Sequence, residues 1–170
     1  MRSLIFALFC LFTQPLLATT VVPLSLAELT KKADLIVEVT IESRSAAWQG
    51  QRIYTTSRAQ ITHTLKDQNS QRSKHIDIQS LGGVVGQIGQ KVHGAATLET
   101  GKQYLLFLIE PEPEKYFVYG MAQGVITMMR NDKGQLAIAP GQESRQHGQL
   151  FDLNQLRKSI KQNRHEIIQP

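Results

Sequence analysis

The stretch Leu35-Ile-Val-Glu-Val-Thr-Ile-Glu42 decides how this chain folds. Every second residue from Leu35 to Ile41 is apolar, whereas Glu38, Thr40 and Glu42 occupy alternate positions between and after them. A period of two places one set of side chains on a core face and the other set on the opposite face. The stretch therefore predicts a half-buried β-strand and a fold that is mainly β.

Similar patterns recur on both sides of a polar stretch, Ser43–Gln51, which is predicted to be a turn or loop. The core of one later segment, Tyr104–Ile109, is apolar without interruption and is expected to be covered on both faces. The further predicted strands are Arg52–Leu65, His75–Gln79, Gln103–Glu110, Tyr116–Tyr119, and Gly124–Arg130 paired with Gln135–Ala139. Nothing in this order alternates strand with helix, so βαβ units are not expected.

Six or seven strands of this kind predict a small, closed or partly open antiparallel β-barrel, because closure removes exposed strand edges. A two-sheet β-sandwich is the alternative. Helices are expected at both ends of the domain. Ser25-Leu-Ala-Glu28 has the form of a capping box that opens a short helix, and Asp152 can cap a final helix.

The first residues have the features of a secretory signal peptide. Met1–Arg2 supplies a positive charge, Leu4–Leu11 an apolar run, and Ala18 a small residue at which cleavage is expected. The run is too short to span a bilayer. The predicted organisation is therefore a signal peptide at 1–18, a β-barrel domain at 19–140, and a linker with a basic amphipathic helix at 141–170. The protein is expected to be exported, either to a periplasm or to the medium, with no transmembrane anchor in the mature chain.

Composition narrows the possible partners. The only cysteine among the 170 residues is Cys10, inside the predicted signal, so the mature domain is expected to lack disulfides. Together with the absence of an Asn-x-Ser/Thr site, this favours a bacterial envelope or culture-fluid protein. The formal net charge of +5 is mild. Export argues against nucleotide-dependent chemistry and against a nucleic-acid partner.

A glycine-rich segment, Gly82–Gly94, follows the third predicted strand. It lacks the spacing of a phosphate-binding loop, and its Gly86-Gln-Ile-Gly89 only mimics the clamp of KH domains, which needs a helix on each side. The glycines are expected to serve the backbone, at positive φ or at close approaches. A flexible binding loop is the alternative interpretation.

OB-type barrels bind ligands across an open face with loops at its rim. Trp48, in the predicted loop Ser43–Gln51, either plugs one end of the barrel or is an exposed contact residue. The predicted partner is a protein or polymer of the envelope or extracellular space. The candidate binding residues are Trp48, Gly82, Gly83, Gly86, Gly89 and His93.

The predicted C-terminal helix carries a second candidate surface. Its basic cluster is either a solvated helix face or a module that docks on an anionic surface. The cluster consists of Arg157, Lys158, Lys161 and Arg164.

No catalytic residue, metal ligand or cofactor is assigned. The five histidines are scattered, and His165-Glu-Ile-Ile-Gln169 lacks the second histidine of a zinc-protease helix. The leading hypothesis is thus a non-enzymatic binding domain. An envelope-acting hydrolase with His93 or His147 as general base is an alternative.

Three groups of residues together resemble known proteins: Ala33–Val39; Leu81–Gly86 with Val92-His-Gly94; and Gly101–Leu108 followed by Gly120–Gly124. Their order and spacing resemble a group of small, uncharacterised exported bacterial β-rich proteins. A more distant similarity extends to the OB-like barrels of netrin-type and metalloprotease-inhibitor domains. The resemblance covers roughly residues 24–140 and implies a barrel and an exported location. A protease-inhibitor-like function is a further alternative, although such inhibitors use an N-terminal cysteine and disulfides, which this mature chain lacks.

Overall fold

The computed structural model describes residues 22–68, 72–140 and 152–168. The predicted signal peptide and most of the predicted linker lie outside these ranges. In chain order the elements are α1 (Leu26–Lys32), β1 (Leu35–Gln49), β2 (Arg52–Asp67), β3 (His75–Leu81), β4 (Gly83–Val85), β5 (Ile88–Gln90), β6 (Gln103–Glu112), β7 (Lys115–Val118), a 3-10 turn (Met121–Gly124), β8 (Val125–Arg130), β9 (Leu136–Ile138) and α2 (Leu153–Ile168).

Five strands form a closed ring in the order β1-β2-β3-β7-β6, and the pairing of β6 with β1 closes it. This confirms the predicted mainly β, barrel-like fold with flanking helices. Four of the five pairings are antiparallel, and β3–β7 is parallel. A ring with an odd number of strands cannot alternate direction throughout, so one pair must be parallel. The periodicity of single strands does not reveal this constraint.

One edge of β6 pairs with two strands in succession. Val118 of β7 lies opposite Leu108, and Val125 of β8 lies opposite Leu106. Between them the chain leaves the sheet through the 3-10 turn and returns at Gly124. A Cβ atom at Gly124 would lie 2.2 Å from the carbonyl oxygen of Tyr119, so only glycine fits this return. Strand β9 then extends the sheet beyond β8.

The interior of the barrel contains the alternating residues that the sequence singles out. Leu35, Val37, Val39 and Ile41 are at most 1% exposed and pack with Tyr104, Leu106, Leu108, Ile78 and Tyr116. Side chains of this size each contribute roughly 1.5–3 kcal/mol on full burial. The predicted core face of β1 is therefore confirmed.

The outer face of β1 and β6 is also buried, because both α-helices cover it. Ile36, Leu105 and Phe107 pack there against Leu29 of α1 and Ile160 of α2. The uninterrupted apolar stretch of β6 is thus covered on both faces, as predicted. For β1 the prediction of a half-buried strand is wrong at its centre, where Ile36 and Glu38 are buried beneath the helices.

Side chains from the sheet and the flanking residues satisfy the helix ends. The Glu28 amide donates to Ser25 Oγ at 3.1 Å, and the Gln155 amide donates to Asp152 Oδ1 at 2.7 Å, which confirms both predicted N-caps. At the other end of α1, Lys66 Nζ donates to the carbonyl oxygens of Thr30 and Ala33, at 2.9 and 2.6 Å. Burial lowers the pKa of Lys66, although nearby Asp34 opposes that shift.

The β1–β2 hairpin extends well past the barrel. Pairing of β1 with β6 ends at Thr40, whereas pairing with β2 continues to Gln49 opposite Arg52. We call residues 43–58 the arm. The predicted loop Ser43–Gln51 is wrong, because only Gly50 and Gln51 form the turn. The polar composition of this segment is typical of a loop. The segment nevertheless forms a strand, because it is stabilised by pairing with β2 rather than by burial of its side chains.

Candidate functional site

A cleft of about 520 Å³ lies where the arm leaves the barrel. Its walls are the arm, the β4–β5 hairpin and the residues that follow β5. The arm contributes Arg44 and Thr55. The chain between the end of β3 and the start of β6, which we call the crossing chain, contributes residues 80–84 and 89–97. A register shift between Ile41 and Ser43 turns the even-numbered residues of β1 toward this side, so Arg44, Ala46 and Trp48 continue the face that lines the barrel interior.

The β4–β5 hairpin folds tightly onto the arm through two of the predicted glycines. Gly83 has φ +140°, and a Cβ atom there would lie 2.5 Å from Thr55 Oγ1 and 3.0 Å from Ala46 Cβ. Gly82 has φ +96°, and its carbonyl accepts a 2.7 Å hydrogen bond from Thr55 Oγ1. Gln90 Oε1 accepts from the Ile53 amide at 2.7 Å. Both glycines therefore act through close backbone approach, in agreement with the sequence expectation.

The other two candidate glycines differ from this pair. Gly86 adopts φ +60° in the turn between β4 and β5, and nothing lies within 4 Å of its hypothetical Cβ. Gly89 has no positive φ and meets only the side chain of Val84, at 3.7 Å. Gly89 lines the cleft and Gly86 does not.

Large apolar side chains are exposed on the two hairpins. Trp48 is 47% exposed, Val84 67% and Ile88 56%. Trp48 lies opposite Ile53 near the tip of the arm, beyond the cleft lining and outside the barrel. Of the two interpretations of Trp48, the plug in the barrel end is wrong, and the exposed residue is what the structure contains. Ile88 lies on the same face of its hairpin as Gly83, the face turned toward the arm.

Charge around the cleft is of one sign. Arg44, Arg52 and Lys91 are exposed and form no ion pair with any residue in the parts of the chain that the structure describes. Residues 43–66 and 78–98 contain no aspartate or glutamate. This end of the protein can therefore attract an anionic group.

His93 lies exposed at the rim, in a turn that reaches the 3-10 turn on the other side of the crossing chain. The Ala122 amide donates to the carbonyl oxygen of the next residue, Gly94, at 2.9 Å. None of the residues that line the cleft is a carboxylate that could orient His93 as a base. His147, the other residue considered for that role, lies outside the described residues.

The basic cluster of α2 divides into one anchored and three more exposed side chains. Arg157 Nε and Nη2 donate to the two carboxylate oxygens of Glu38, each at 2.6 Å, and Glu38 is 2% exposed. The hydrogen bonds that Arg157 donates to Glu38 raise the pKa of Arg157 above its ordinary value, against the effect of burial. Lys158, Lys161 and Arg164 are exposed, and Arg164 Nη1 lies 3.4 Å from the carbonyl oxygen of Leu65.

A further polar cluster, which sequence reasoning missed, centres on Arg72, whose side chain is 6% exposed. Its guanidinium pairs with Asp67 and Glu110, at 3.0 Å each, lies 4.9 Å above the ring of Tyr116 and donates to that residue's hydroxyl. Tyr116 in turn donates to Glu110 at 3.0 Å. Residues so far apart in the chain carry no local motif, so no sequence signal could have joined them.

The environment of this cluster shifts its ionisation. Burial would raise the pKa of Glu110, but hydrogen bonds from the Glu114 amide, Tyr116 and Arg72 outweigh it and hold the pKa below its ordinary value. Burial and the hydrogen bond to Glu110 raise the pKa of Tyr116 to about 12. The polar groups of these side chains find their partners within the cluster. The cluster therefore has a structural role: it joins β6, β7 and the end of β2.

Comparison of the chain with protein-family models and with curated proteins finds no match. None of the helices that the structure describes is long and apolar enough to cross a membrane. Within residues 22–68, 72–140 and 152–168, no three His, Cys, Asp or Glu side chains are grouped so that they could hold a metal ion.

Proposed function

We propose that this protein is an exported, non-enzymatic binding domain that engages a protein or polymer partner in the cell envelope or extracellular space. The recognition surface is the cleft together with the tips of the arm and of the β4–β5 hairpin. One observation carries the proposal: Trp48, Val84 and Ile88 expose large apolar side chains on two neighbouring hairpins.

Exposure of this kind supports a binding role for a physical reason. Tryptophan is enriched at binding hot spots, and Trp48 and Ile88 lie on the sides of the arm and of the β4–β5 hairpin that face each other, whereas Val84 lies on the opposite side of its hairpin. The hydrogen bond from Thr55 Oγ1 to the Gly82 carbonyl and the close approach at Gly83 join the two hairpins, which reduces the conformational entropy that binding would cost.

Export is the second part of the proposal and rests on the residues before Thr19. The charged start, the short apolar run and Ala18 support cleavage there, and the lone Cys10 would leave with the signal. Mass spectrometry of the protein from fractionated cells tests this. A product that begins near Thr19 outside the cytoplasm is expected, and an intact residue 1–18 segment on a cytosolic product would contradict it.

Binding is tested by retention of envelope components on the immobilised mature protein. Trp48→Ala is expected to lose the retained component. Met129→Ala is the matched control, because Met129 is 46% exposed, nearly the same as Trp48, but belongs to β8 and to neither of the two hairpins. Thermal unfolding should change little in either variant. Equal retention by both variants would remove Trp48 and its surface from the proposal.

A second candidate function is docking on an anionic surface through α2, favoured by the exposure of Lys158, Lys161 and Arg164 on one helix. Binding to vesicles with anionic lipid should then disappear between low and physiological salt, because exposed charges are screened. A Lys158→Gln/Lys161→Gln variant should bind less than the control Lys74→Gln/Lys133→Gln, which removes two exposed lysines elsewhere. Equal binding by the two variants would exclude α2 as the docking surface.

A further inference from the structure

The outer edge of the arm is an unusually regular strand edge. Residues 43–49 of β1 pair with β2 and, among the described residues, with no other strand, since β6 pairs with β1 only as far as Thr40. The register from Ser43 opposite Arg58 to Gln49 opposite Arg52 is unbroken. The segment contains no proline and no bulge, and Arg44 is its only charged side chain, so few of the features that usually protect an edge from pairing are present.

The geometry of the hairpin identifies the backbone groups that face this edge. With a two-residue turn, Gln49 and Arg52 form the hydrogen-bonded closing pair, and the bonding then alternates along the strands. The N–H and C=O groups of Arg44, Ala46 and Trp48 therefore point away from β2. Ile53, opposite Trp48, fits this phase: its amide donates to Gln90 Oε1, and its carbonyl accepts from the Gly82 amide.

We infer that this edge accepts an extended acidic peptide segment of a partner protein, which adds to β1 as a further strand. This assignment rests on the proposed binding function and names its partner class. Three outward N–H and three outward C=O groups supply the main-chain hydrogen bonds of strand addition. About seven residues of edge, roughly 23 Å, are long enough to fix the register of such a segment.

The positive charge near this strand edge favours an acidic segment as the added strand. Arg44 lies on the edge, Arg52 is opposite its last residue, Gln49, and Lys91 lines the adjoining cleft. Residues 43–66 and 78–98 contain no acidic side chain, and Glu42, which precedes the edge, lies 3.3 Å from His75 Nε2. A second copy of this chain paired edge to edge would bring no carboxylate to Arg44, because residues 43–49 contain none, and would add further positive charge to this end of the protein. An acidic segment instead gains electrostatic attraction both before and after contact.

Side-chain spacing adds a specificity rule. Arg44 and Trp48 lie four residues apart on the same face of the arm, the face turned to the cleft. An added strand would place side chains of its own at that spacing opposite them. The preferred segment therefore carries an acidic and a large apolar residue four positions apart.

Amide hydrogen exchange measured by NMR on the mature protein tests the inference. The probe is the blocked peptide Thr-Leu-Thr-Val-Thr-Glu-Thr, which places Glu opposite Arg44 and Leu opposite Trp48 when it adds antiparallel to β1, and the matched control has Lys in place of Glu. Without peptide the amides of Arg44, Ala46 and Trp48 should exchange fast, and those of Ser45, Ala47 and Gln49 slowly. Saturating probe should slow the first three about tenfold or more and the second three little, because only the outward amides gain partners. The control peptide should have a much weaker effect.

A backbone variant gives a second, independent reading. Ala46→Pro removes an outward N–H without removing a bond to β2, and should abolish the protection of Arg44 and Trp48. Ala46→Ser keeps the N–H and should bind normally. Slow exchange of the Ser45 amide reports that the arm is still formed in each variant. If the proline variant loses its arm, the exchange pattern of the unaltered protein and of Ala46→Ser still decides the question.

Several outcomes would overturn strand addition. Unchanged exchange at the three outward amides with the acidic probe would do so. A shift in Trp48 fluorescence with polygalacturonate but no amide protection would replace the peptide by an acidic glycan and leave the proposed binding function standing. Protection that rises with protein concentration alone, together with a dimer mass, would identify a second copy as the occupant. Equal protection by the lysine peptide would remove the acidic requirement.

Discussion

The guanidinium of Arg157 and the carboxylate of Glu38 meet through two hydrogen bonds of 2.6 Å beneath α2, where Glu38 is 2% exposed. This contact joins the first half of β1 to the C-terminal helix, 119 residues away in the chain. Removal of the arginine would leave a buried charge without a partner.

Arg157→Ala is accordingly expected to lower the free energy of unfolding by about 3 kcal/mol, because an unpaired buried carboxylate is costly. The measurement is denaturant unfolding at neutral pH. Lys158→Ala, one residue along on the exposed side of α2, should change it by less than about 0.5 kcal/mol. A Glu38→Met/Arg157→Leu double variant should recover most of the loss, since apolar residues can replace a buried pair. Equal effects of Arg157→Ala and Lys158→Ala would contradict a role for the pair.

The Glu110 carboxylate predicts an acid dependence of stability. Its pKa is held below the ordinary value of 4.5, so in the unfolded chain it binds a proton at higher pH than in the folded protein. The stability it contributes is present above about pH 4.5 and is lost as the pH falls through the lower, folded-state pKa. Glu110→Gln should therefore be less stable than the unaltered protein at pH 7, and the difference should shrink in acid.

Urea unfolding between pH 7 and pH 3 measures this difference. Glu112→Gln is the control, because Glu112 is exposed and pairs with Lys115 on the surface. Its difference from the unaltered protein should stay small at every pH. A gap for Glu110→Gln that is constant with pH would rule out the lowered pKa.

Tyr116 predicts the opposite dependence in alkali. Its pKa is raised to about 12 from 10.0, because burial and Glu110 disfavour the phenolate. Between these values the unfolded chain has lost the proton and the folded protein retains it, so stability should fall as the pH rises. Tyr116→Phe should show a smaller decline over this range. An equal decline in both proteins, measured by the unfolding midpoint, would show that Tyr116 does not cause it.

Gly83 and Gly86 provide a matched pair of glycine variants. Both have positive φ, but a Cβ atom at Gly83 would lie 2.5 Å from Thr55 Oγ1, whereas at Gly86 it would lie in open space. Gly83→Ala should cost about 2–4 kcal/mol, from backbone strain together with overpacking. Gly86→Ala should cost only about 1–2 kcal/mol, from strain alone. Thermal unfolding compares them, and equal losses would mean that the contact with the arm contributes nothing.

The sequence predicts the barrel because its information is local and repeated. Leu35, Val37, Val39 and Ile41 alternate, Tyr104–Ile109 is apolar throughout, and both patterns describe what each strand buries. Ser25 and Asp152 likewise act on backbone amides three residues away, so their capping roles are visible in the chain itself. Closure of the ring through one parallel pair depends on all five strands together and leaves no mark on any one of them.

The contacts outside the barrel core are predicted less well from the sequence, because they depend on which helices and strands pack over one another. Glu38 is polar at a position that alternation turns outward, yet α2 lies over it and supplies Arg157. The residues Ser43–Gln49 are polar and small, so they suggested a loop, although they form the exposed half of a long hairpin. Gly82 and Gly83 were interpreted correctly because a strand that runs into two glycines requires an unusual backbone. Arg72 gave no signal, since its partners come from three separate segments.

The order of strands in the ring also constrains the path of the chain between β3 and β6. Because β7 lies between these two strands, the chain has to pass the end of β7 on its way from β3 to β6. This connection also lines the cleft. It contacts the arm at Gly83 and the 3-10 turn at Gly94. The segment between these two contacts can be lengthened, or its residues exchanged, for instance at Gly86, while the strand order of the barrel stays the same. A single internal loop can thus vary in length and composition without any change in the barrel itself.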